Sequence, residues 1–323
     1  MVERSARPPS RRPGDAPSHA PRRMADLTTA THLRLQAWTP AWFLAPALAI
    51  TAAIVLVPVA QTLWLSLQDY LLYDPDAARF VGLGNFAAIL RDEVFWISLR
   101  HSLVWIVGVV GLQFLLGLVT ALLLNQSFWW RGAARALVVV PWALPSVIIG
   151  LMWTWMYDFN VGVINDILIR VGMIDSPVAW LARPDLALGA IMAALVWQGF
   201  PFFAVTILAG LQTIPSELYE AAEIDGASRR QMLFRITLPS IADVIATALL
   251  LRTIWVANSL DVILVMTGGG PGYATHTLPL YAFVRAYSSM EFGYGSALAL
   301  VLTALLLCVV WLYVRRASRG LEQ

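Results

Sequence analysis

No lysine occurs anywhere in the 323 residues; all 22 basic residues are arginine. That absence removes the phosphate-binding lysine of a P-loop and any Schiff-base lysine. If the protein runs on ATP, another chain must bind the nucleotide and its magnesium. Cysteine is nearly absent too. The single thiol, Cys308, lies inside an apolar run, can form no intrachain disulfide, and reads as helix packing. The four histidines (His19, His32, His101 and His276) are scattered, with no metal-ligand spacing and no nucleophile elbow. No metal site, no catalytic residue and no cofactor bound by this chain is expected. Charge is sparse as well. Only 13% of residues are charged, where soluble domains carry about 25%. Against this, 59% are hydrophobic and the mean hydropathy is +0.69, more apolar surface than a water-facing domain can hide. No nucleic-acid partner is expected; membrane lipid is.

Six apolar stretches are long enough to cross the hydrocarbon core, which needs about 20 helical residues. They run at about 41–67, 102–124, 136–157, 188–211, 241–266 and 294–314. Backbone amides in lipid must be satisfied within their own segment, so the fold class is all-α integral membrane with six transmembrane helices. Pro46, Pro58, Pro141, Pro145 and Pro201 fall within or near these runs, and kinks are expected there. Residues 1–38 are Arg- and Pro-rich without helical periodicity and read as a disordered cytoplasmic tail. The first apolar run, roughly 25 residues, exceeds a signal-peptide core of about 7–15. It reads as a retained span. The organisation is therefore a tail (1–38), a six-span domain (39–316) and a short cytoplasmic tail (317–323).

The arginines orient the chain. With both termini cytoplasmic, fifteen arginines lie inside, six lie outside (Arg79, Arg91, Arg100, Arg170, Arg183 and Arg285), and Arg252 sits within a span. Trp38, Trp42, Trp129, Trp130, Trp180 and Trp311 cluster near span ends, as interfacial belts do.

That orientation makes 213–240 an inner loop. Ile214, Leu218, Ala221 and Ala222 recur at helical spacing, while Glu217, Glu220 and Glu223 step by three along the other side. Asp225-Gly226 is a stop signal, because glycine tolerates the left-handed conformation that closes helices. Ser228 and Gln231 have capping-box spacing. Leu238-Pro239 ends the second helix and begins the fifth span. On these grounds the segment is helix, sharp turn, helix; an ordinary amphipathic surface loop remains the alternative.

Glu220-Ala221-Ala222, three residues, Gly226, nine residues, then Ile236-Thr237-Leu238-Pro239 resembles the EAA signature of ABC-importer permeases. Trp197-Gln198-Gly199-Phe200-Pro201, Gly82-Leu83-Gly84-Asn85-Phe86, Pro141-Trp142 and Thr267-Gly268-Gly269-Gly270-Pro271-Gly272 resemble the MalF/UgpA-like sugar branch of that family. The resemblance covers about residues 40–316. It implies a type I importer permease fold in a bacterial inner membrane, a second permease subunit, a cytoplasmic ATPase dimer carrying ATP and magnesium, and an extracytoplasmic substrate-binding protein. By the same resemblance Glu220, Ala221, Ala222, Asp225, Gly226, Ile236, Leu238 and Pro239 form the ATPase-coupling element. Glu220 would face the ATPase, the alanines would permit close packing, and Gly226 would make the turn.

A mid-membrane arginine costs about 2.5–3.5 kcal/mol on insertion scales, so Arg252 should face protein or water. It is either part of a polar cavity wall or paired with a neighbouring span or the second permease. Sugars are recognised by aromatic faces together with amides and carboxylates. Trp153, Tyr157, Trp197, Gln198, Arg252, Asn258 and Asp261 are the candidate substrate-path residues. The expected function is sugar import, with di- or oligosaccharides favoured. A glycerol-3-phosphate importer of the same branch and an ion-coupled secondary transporter are the alternatives, with a membrane enzyme weaker still. The second alternative is disfavoured by the absence of repeating halves and of several deep acids.

Overall fold

A computed structural model describes the backbone of residues 23–320 and the side chains of 44–315. Two units are distinguished, residues 1–60 and 61–323. Over its described residues the first is most of helix α1 (Arg23–Ser66). The expected irregular tail through residue 38 is therefore helical from Arg23 onward. Residues 24–38 contain neither proline nor glycine, and extending an existing helix avoids the cost of nucleating a new one. The rest of that tail, and residues 321–323, lie outside the described residues.

The second unit begins with the end of α1 and a hairpin of β1 (Gln68–Leu71) and β2 (Asp74–Phe80), the one departure from an all-helical chain among the described residues. Asn85 fastens the turn that follows, its amide donating to the Ser66 and Gln68 carbonyls at 2.8 Å each. Helices α2 (Gly84–Arg91) and α3 (Glu93–Leu124) come next. At about 1.5 Å per residue, α3 is about 48 Å long and overshoots the apolar core. Then come α4 (Arg131–Ala143), α5 (Ser146–Met156), α6 (Val163–Arg170) and the fourth span α7 (Ala187–Leu211). The inner-loop candidate holds α8 (Ser216–Ile224), α9 (Arg229–Met232), a π-turn (Leu233–Thr237) and α10 (Leu238–Ser240). Helices α11 (Ala242–Ala257), α12 (Asp261–Met266), α13 (Leu278–Phe283), a second π-turn (Val284–Ser288) and α14 (Phe292–Gly320) complete the chain.

Five helices among the described residues are long and apolar enough to cross a membrane, and six if α4 and α5 count as one broken span. The kink expected over 136–157 is a full break: α4 and α5 meet at 94°. Leu144 precedes a proline and is driven to ψ 138°, and Pro145 itself lies at ψ 139°, so two successive extended residues turn the chain. The fifth span is also interrupted, at Asn258–Leu260, between α11 and α12.

Small residues set the closest approaches. A Cβ on Gly117 of α3 would overlap the Phe203 side chain of α7, and one on Gly150 of α5 would lie 2.9 Å from Val265 of α12. Close helix contact through such positions is the usual device where lipid removes the hydrophobic drive between helices. Trp105, Val109, Ile149, Ile191, Phe203 and Ile263 centre the larger apolar cluster.

Candidate functional site

Both helix breaks open onto one cavity of about 420 Å³. Leu144, Pro145 and Ser146 come from the α4–α5 break, and Asn258, Ser259 and Asp261 from the α11–α12 break. Gln198 of α7 and Arg252 and Trp255 of α11 line the wall between them. Breaking a helix frees carbonyls that a lipid-facing chain could not satisfy. Here two are taken up by side chains. Gln198 Nε2 donates to the Leu144 carbonyl at 3.2 Å, and Trp105 Nε1 to the Val256 carbonyl at 3.1 Å.

Arg252 is 8% exposed and has no carboxylate within salt-bridge distance among the described residues. Its Nε donates to Gln113 Oε1 at 2.6 Å, while Gln113 Nε2 donates to the Leu195 carbonyl at 2.7 Å. Gln113 thus joins α3, α7 and α11 at a point that is itself fully buried. Gly199 makes room for this: a Cβ there would overlap both the guanidinium and the Gln113 amide. Arg252 thus bonds a neighbouring span and also lines the cavity. Phe202 sits between Trp142 and Trp255, with ring centroids 5.8 and 5.3 Å away, and both indoles line the cavity. The cavity therefore combines flat apolar faces with one guanidinium, one carboxylate and several amide and hydroxyl groups.

Of the seven candidate path residues, Gln198, Arg252, Asn258 and Asp261 meet at this cavity. Trp153, Tyr157 and Trp197 do not. They form an aromatic cluster of tilted and edge-on rings between α5 and α7, with Trp153 5.5 Å from Tyr157 and 6.0 Å from Trp197, and Trp180 closing it 5.9 Å from Tyr157. The buried Tyr157 hydroxyl donates to the Ala190 carbonyl at 3.1 Å. These rings cement the packing of the two helices. Sequence reasoning missed Gln113, Ser146 and Trp255. A lone amide amid the apolar run of α3 was the available signal for Gln113.

The 213–240 segment has the expected helix–turn–helix form. Gly226 closes α8 with φ 73°. The Ala227 amide donates to the Ala222 carbonyl at 2.9 Å and the Gly226 amide to Glu223 at 3.0 Å, a Schellman closure. Ser228 and Gln231 make both bonds of the capping box. Tyr219 Oη and Thr237 Oγ1, 2.9 Å apart, brace α8 against the π-turn. Pro239 occupies the first turn of α10 and leaves the helical path into α11 interrupted only at Ile241. No residue of α8 is buried, and Ile224 is 87% exposed. Leu218 and Phe234 are exposed as well. The loop thus presents apolar side chains and the Glu217/Glu220/Glu223 edge at its surface.

Among the described residues no cluster of three or more His, Cys, Asp or Glu could hold a metal ion.

Comparison with known proteins adds the following. The family model for binding-protein-dependent transport system inner membrane components matches residues 113–319. The chain is 41% identical over 276 residues to the trehalose/maltose transport system permease protein MalF of Thermococcus litoralis, covering 85% of this chain and 92% of the relative. It is 40% identical over 273 residues to the sulfoquinovosyl glycerol transport system permease protein SmoG of Agrobacterium fabrum, covering 84% and 88%. Among solved structures, a chain of a bacterial alginate ABC transporter in complex with an alginate pentasaccharide-bound periplasmic protein matches with a TM-score of 0.76. That match covers 88% of this chain and 95% of the other at 21% identity, a likeness of fold.

Proposed function

The chain belongs to the binding-protein-dependent transport system inner membrane components, and from that membership we propose that it is the sugar-conducting permease subunit of an ATP-driven importer. It is a transport subunit and not an enzyme. ATP and magnesium act on a separate ATPase dimer, and a second permease completes the membrane pathway. An extracytoplasmic binding protein delivers the substrate. Both termini and the 213–240 loop are cytoplasmic, which the arginine distribution supports.

The observation that carries this reading is the braced, exposed turn at Gly226 with Glu220, Ala221 and Ala222 in front of it. A loop stiffened by a Schellman closure, a capping box and the Tyr219–Thr237 bond can transmit a displacement without absorbing it. Closure of the ATPase dimer would push on this loop, and Leu238-Pro239 would pass the movement into α11. The breaks at 144–145 and 258–260 are the points at which the spans can change angle. The cavity between them would then open alternately to the two sides. Within it, Trp142 and Trp255 offer stacking faces to sugar C–H surfaces, while Gln198, Asn258 and Asp261 meet hydroxyls. The named substrates of the relatives, trehalose/maltose and sulfoquinovosyl glycerol, favour a disaccharide-sized glycoside here.

An ion-coupled secondary transporter does not survive the family membership. A glycerol-3-phosphate importer of the same branch is tested directly. In a strain lacking this chain, plasmid-borne protein should restore uptake of maltose, trehalose or sulfoquinovosyl glycerol; restoration of glycerol-3-phosphate uptake alone would overturn the sugar assignment. Asp261→Ala should lower that uptake about tenfold, the effect of one charge-assisted hydrogen bond, with complex assembly unchanged. Normal uptake would remove Asp261 from the path. Gly226→Pro should reach the membrane in normal amount yet lose the ATPase on pull-down, because proline is held near φ −65°. Undiminished ATPase recovery would sink the coupling role.

A further inference from the structure

A second apolar cluster, separate from the one behind the cavity, gathers Ile89, Phe95, Leu278, Tyr281, Leu298 and Leu302 from α2, the start of α3, α13 and α14. At its edge lies a polar node that neither the cavity nor the cytoplasmic loop uses. Asp92 is the N-cap of α3, its Oδ1 accepting from the Val94 amide at 2.9 Å. Its Oδ2 accepts two tyrosine hydroxyls at once, from Tyr281 of α13 and from Tyr294 of α14, the latter at 2.6 Å. The Arg285 guanidinium covers the Tyr294 ring at 4.6 Å and pairs with Glu291 at 2.5 Å. Glu291 is bridged to Leu71 at the end of β1, the Leu72 amide donates to the Met290 carbonyl at 2.9 Å, and Gly293 lies so close to the Gln68 carbonyl that a Cβ could not fit.

The connections run in one line: hairpin, Glu291, Arg285, Tyr294, Asp92, Tyr281. Every segment in that line lies on the face assigned above as extracytoplasmic, and the inference rests on that orientation. A carboxylate receiving two hydroxyls and an amide holds three segments in one geometry, which no neutral group of the same size can do. Asparagine would offer a single acceptor oxygen and present an NH₂ donor in place of the other. Three otherwise independent loops thereby become one body.

We propose that Asp92 is a positioning residue, holding the β1–β2 hairpin, α13 and the root of α14 as a rigid extracytoplasmic platform that engages the substrate-binding protein. The platform touches no transported sugar, so its loss weakens engagement of the binding protein and leaves the later steps of transport intact. Tyr281 and Tyr294 share the function through the same oxygen.

The test uses the complete complex, with its partner permease and ATPase dimer, in proteoliposomes. ATP hydrolysis is titrated with the cognate binding protein, loaded with whichever of maltose, trehalose and sulfoquinovosyl glycerol restores uptake. Asp92→Asn and Tyr281→Phe should each raise the half-saturating binding-protein concentration about tenfold, with an unchanged maximal rate, as expected for the loss of a charge-assisted hydrogen bond. Tyr294→Phe, which like Tyr281→Phe removes one of the two hydroxyls on the same Asp92 oxygen, should raise it comparably, and Asp92→Glu should restore part of the loss. Unchanged half-saturation in both tyrosine variants overturns the proposal, even where Asp92→Asn fails to assemble. A fall in maximal rate with half-saturation unmoved overturns it as well. Tyr73→Cys at the hairpin turn, in a Cys308→Ser background, separates the orientation from the platform. Labelling of intact cells by an impermeant maleimide supports the orientation, so that a failed titration then counts against Asp92 alone. Labelling confined to inverted vesicles would remove both readings together.

Discussion

Gly199 shows how one missing side chain organises the site. Its hydrogen leaves the space in which the Arg252 guanidinium and the Gln113 amide meet, so the bond at 2.6 Å depends on a residue that takes no part in it. Gly199→Ala should therefore destabilise the protein by about 1–3 kcal/mol, the range for overpacking a fitted interior. The expected readout is a lowered thermal unfolding midpoint in detergent, together with lost uptake. A midpoint and an uptake rate equal to wild type would mean that Arg252 can find another position. At this scale the sequence was legible where chemistry was out of place. Arg252, Gln198, Asn258 and Asp261 are polar groups in or beside spans, and they do converge. Trp153, Tyr157 and Trp197 were not legible, because an indole or phenol serves packing and sugar stacking equally well. Only the direction in which each helix faces separates the two roles, and the end of α5 turns Trp153 and Tyr157 toward α7, where Trp153 meets Trp197.

Local backbone chemistry carried furthest in the cytoplasmic-loop candidate, where every signal had a short-range cause. Glycine after Asp225 gave the positive φ, and serine three residues before glutamine gave the capping box. Ser228→Ala should cost about 0.5–2 kcal/mol of α9 stability. Because Tyr219–Thr237 braces the same corner from the other side, the loop should loosen without collapsing. Hydrogen exchange at the amides of 229–233 should accelerate in this variant while that of α7 stays constant; equal rates at 229–233 would show that the cap contributes nothing. The α4–α5 break tests the opposite limit. Two prolines announce that a helix is disturbed, but they do not encode a 94° bend. That angle depends on what the freed Leu144 carbonyl finds, and it finds Gln198 from a span more than fifty residues later. The hairpin β1–β2 was likewise unreadable: it is held by Asn85 and by contacts to residues 290–293, far along the chain.

For the whole molecule, two groups on the platform side with lowered pKa values, His276 and Asp92, set a pH dependence. His276 is buried, and its burial, with the neighbouring His101 adding to it, lowers its pKa from the ordinary value of 6.5. His101 of α3 reaches the His276 carbonyl at 3.2 Å, the Tyr273 and Tyr281 rings flank the imidazole, and Tyr281 connects it to Asp92. Burial pushes the Asp92 carboxyl up, but hydrogen bonds from Tyr281 and Tyr294 and the amides of Val94 and Phe95 outweigh it and leave the pKa below the ordinary 3.8. Both groups have depressed values in the folded state, so both contribute stability that is complete above their unfolded values and lost as the pH falls through their folded values. The two windows are separate. The thermal midpoint should be level above about pH 6.5, fall below it as the unfolded chain takes up the His276 proton first, and fall again below about pH 3.8 as Asp92 follows. His276→Gln should remove the first decline and Asp92→Asn should lessen the second, to which Asp158 and Asp185, also held below the ordinary carboxyl value by their hydrogen bonds, contribute the remainder. If the first decline persists in His276→Gln, the imidazole over Gly269 is a packing group without a titrating role.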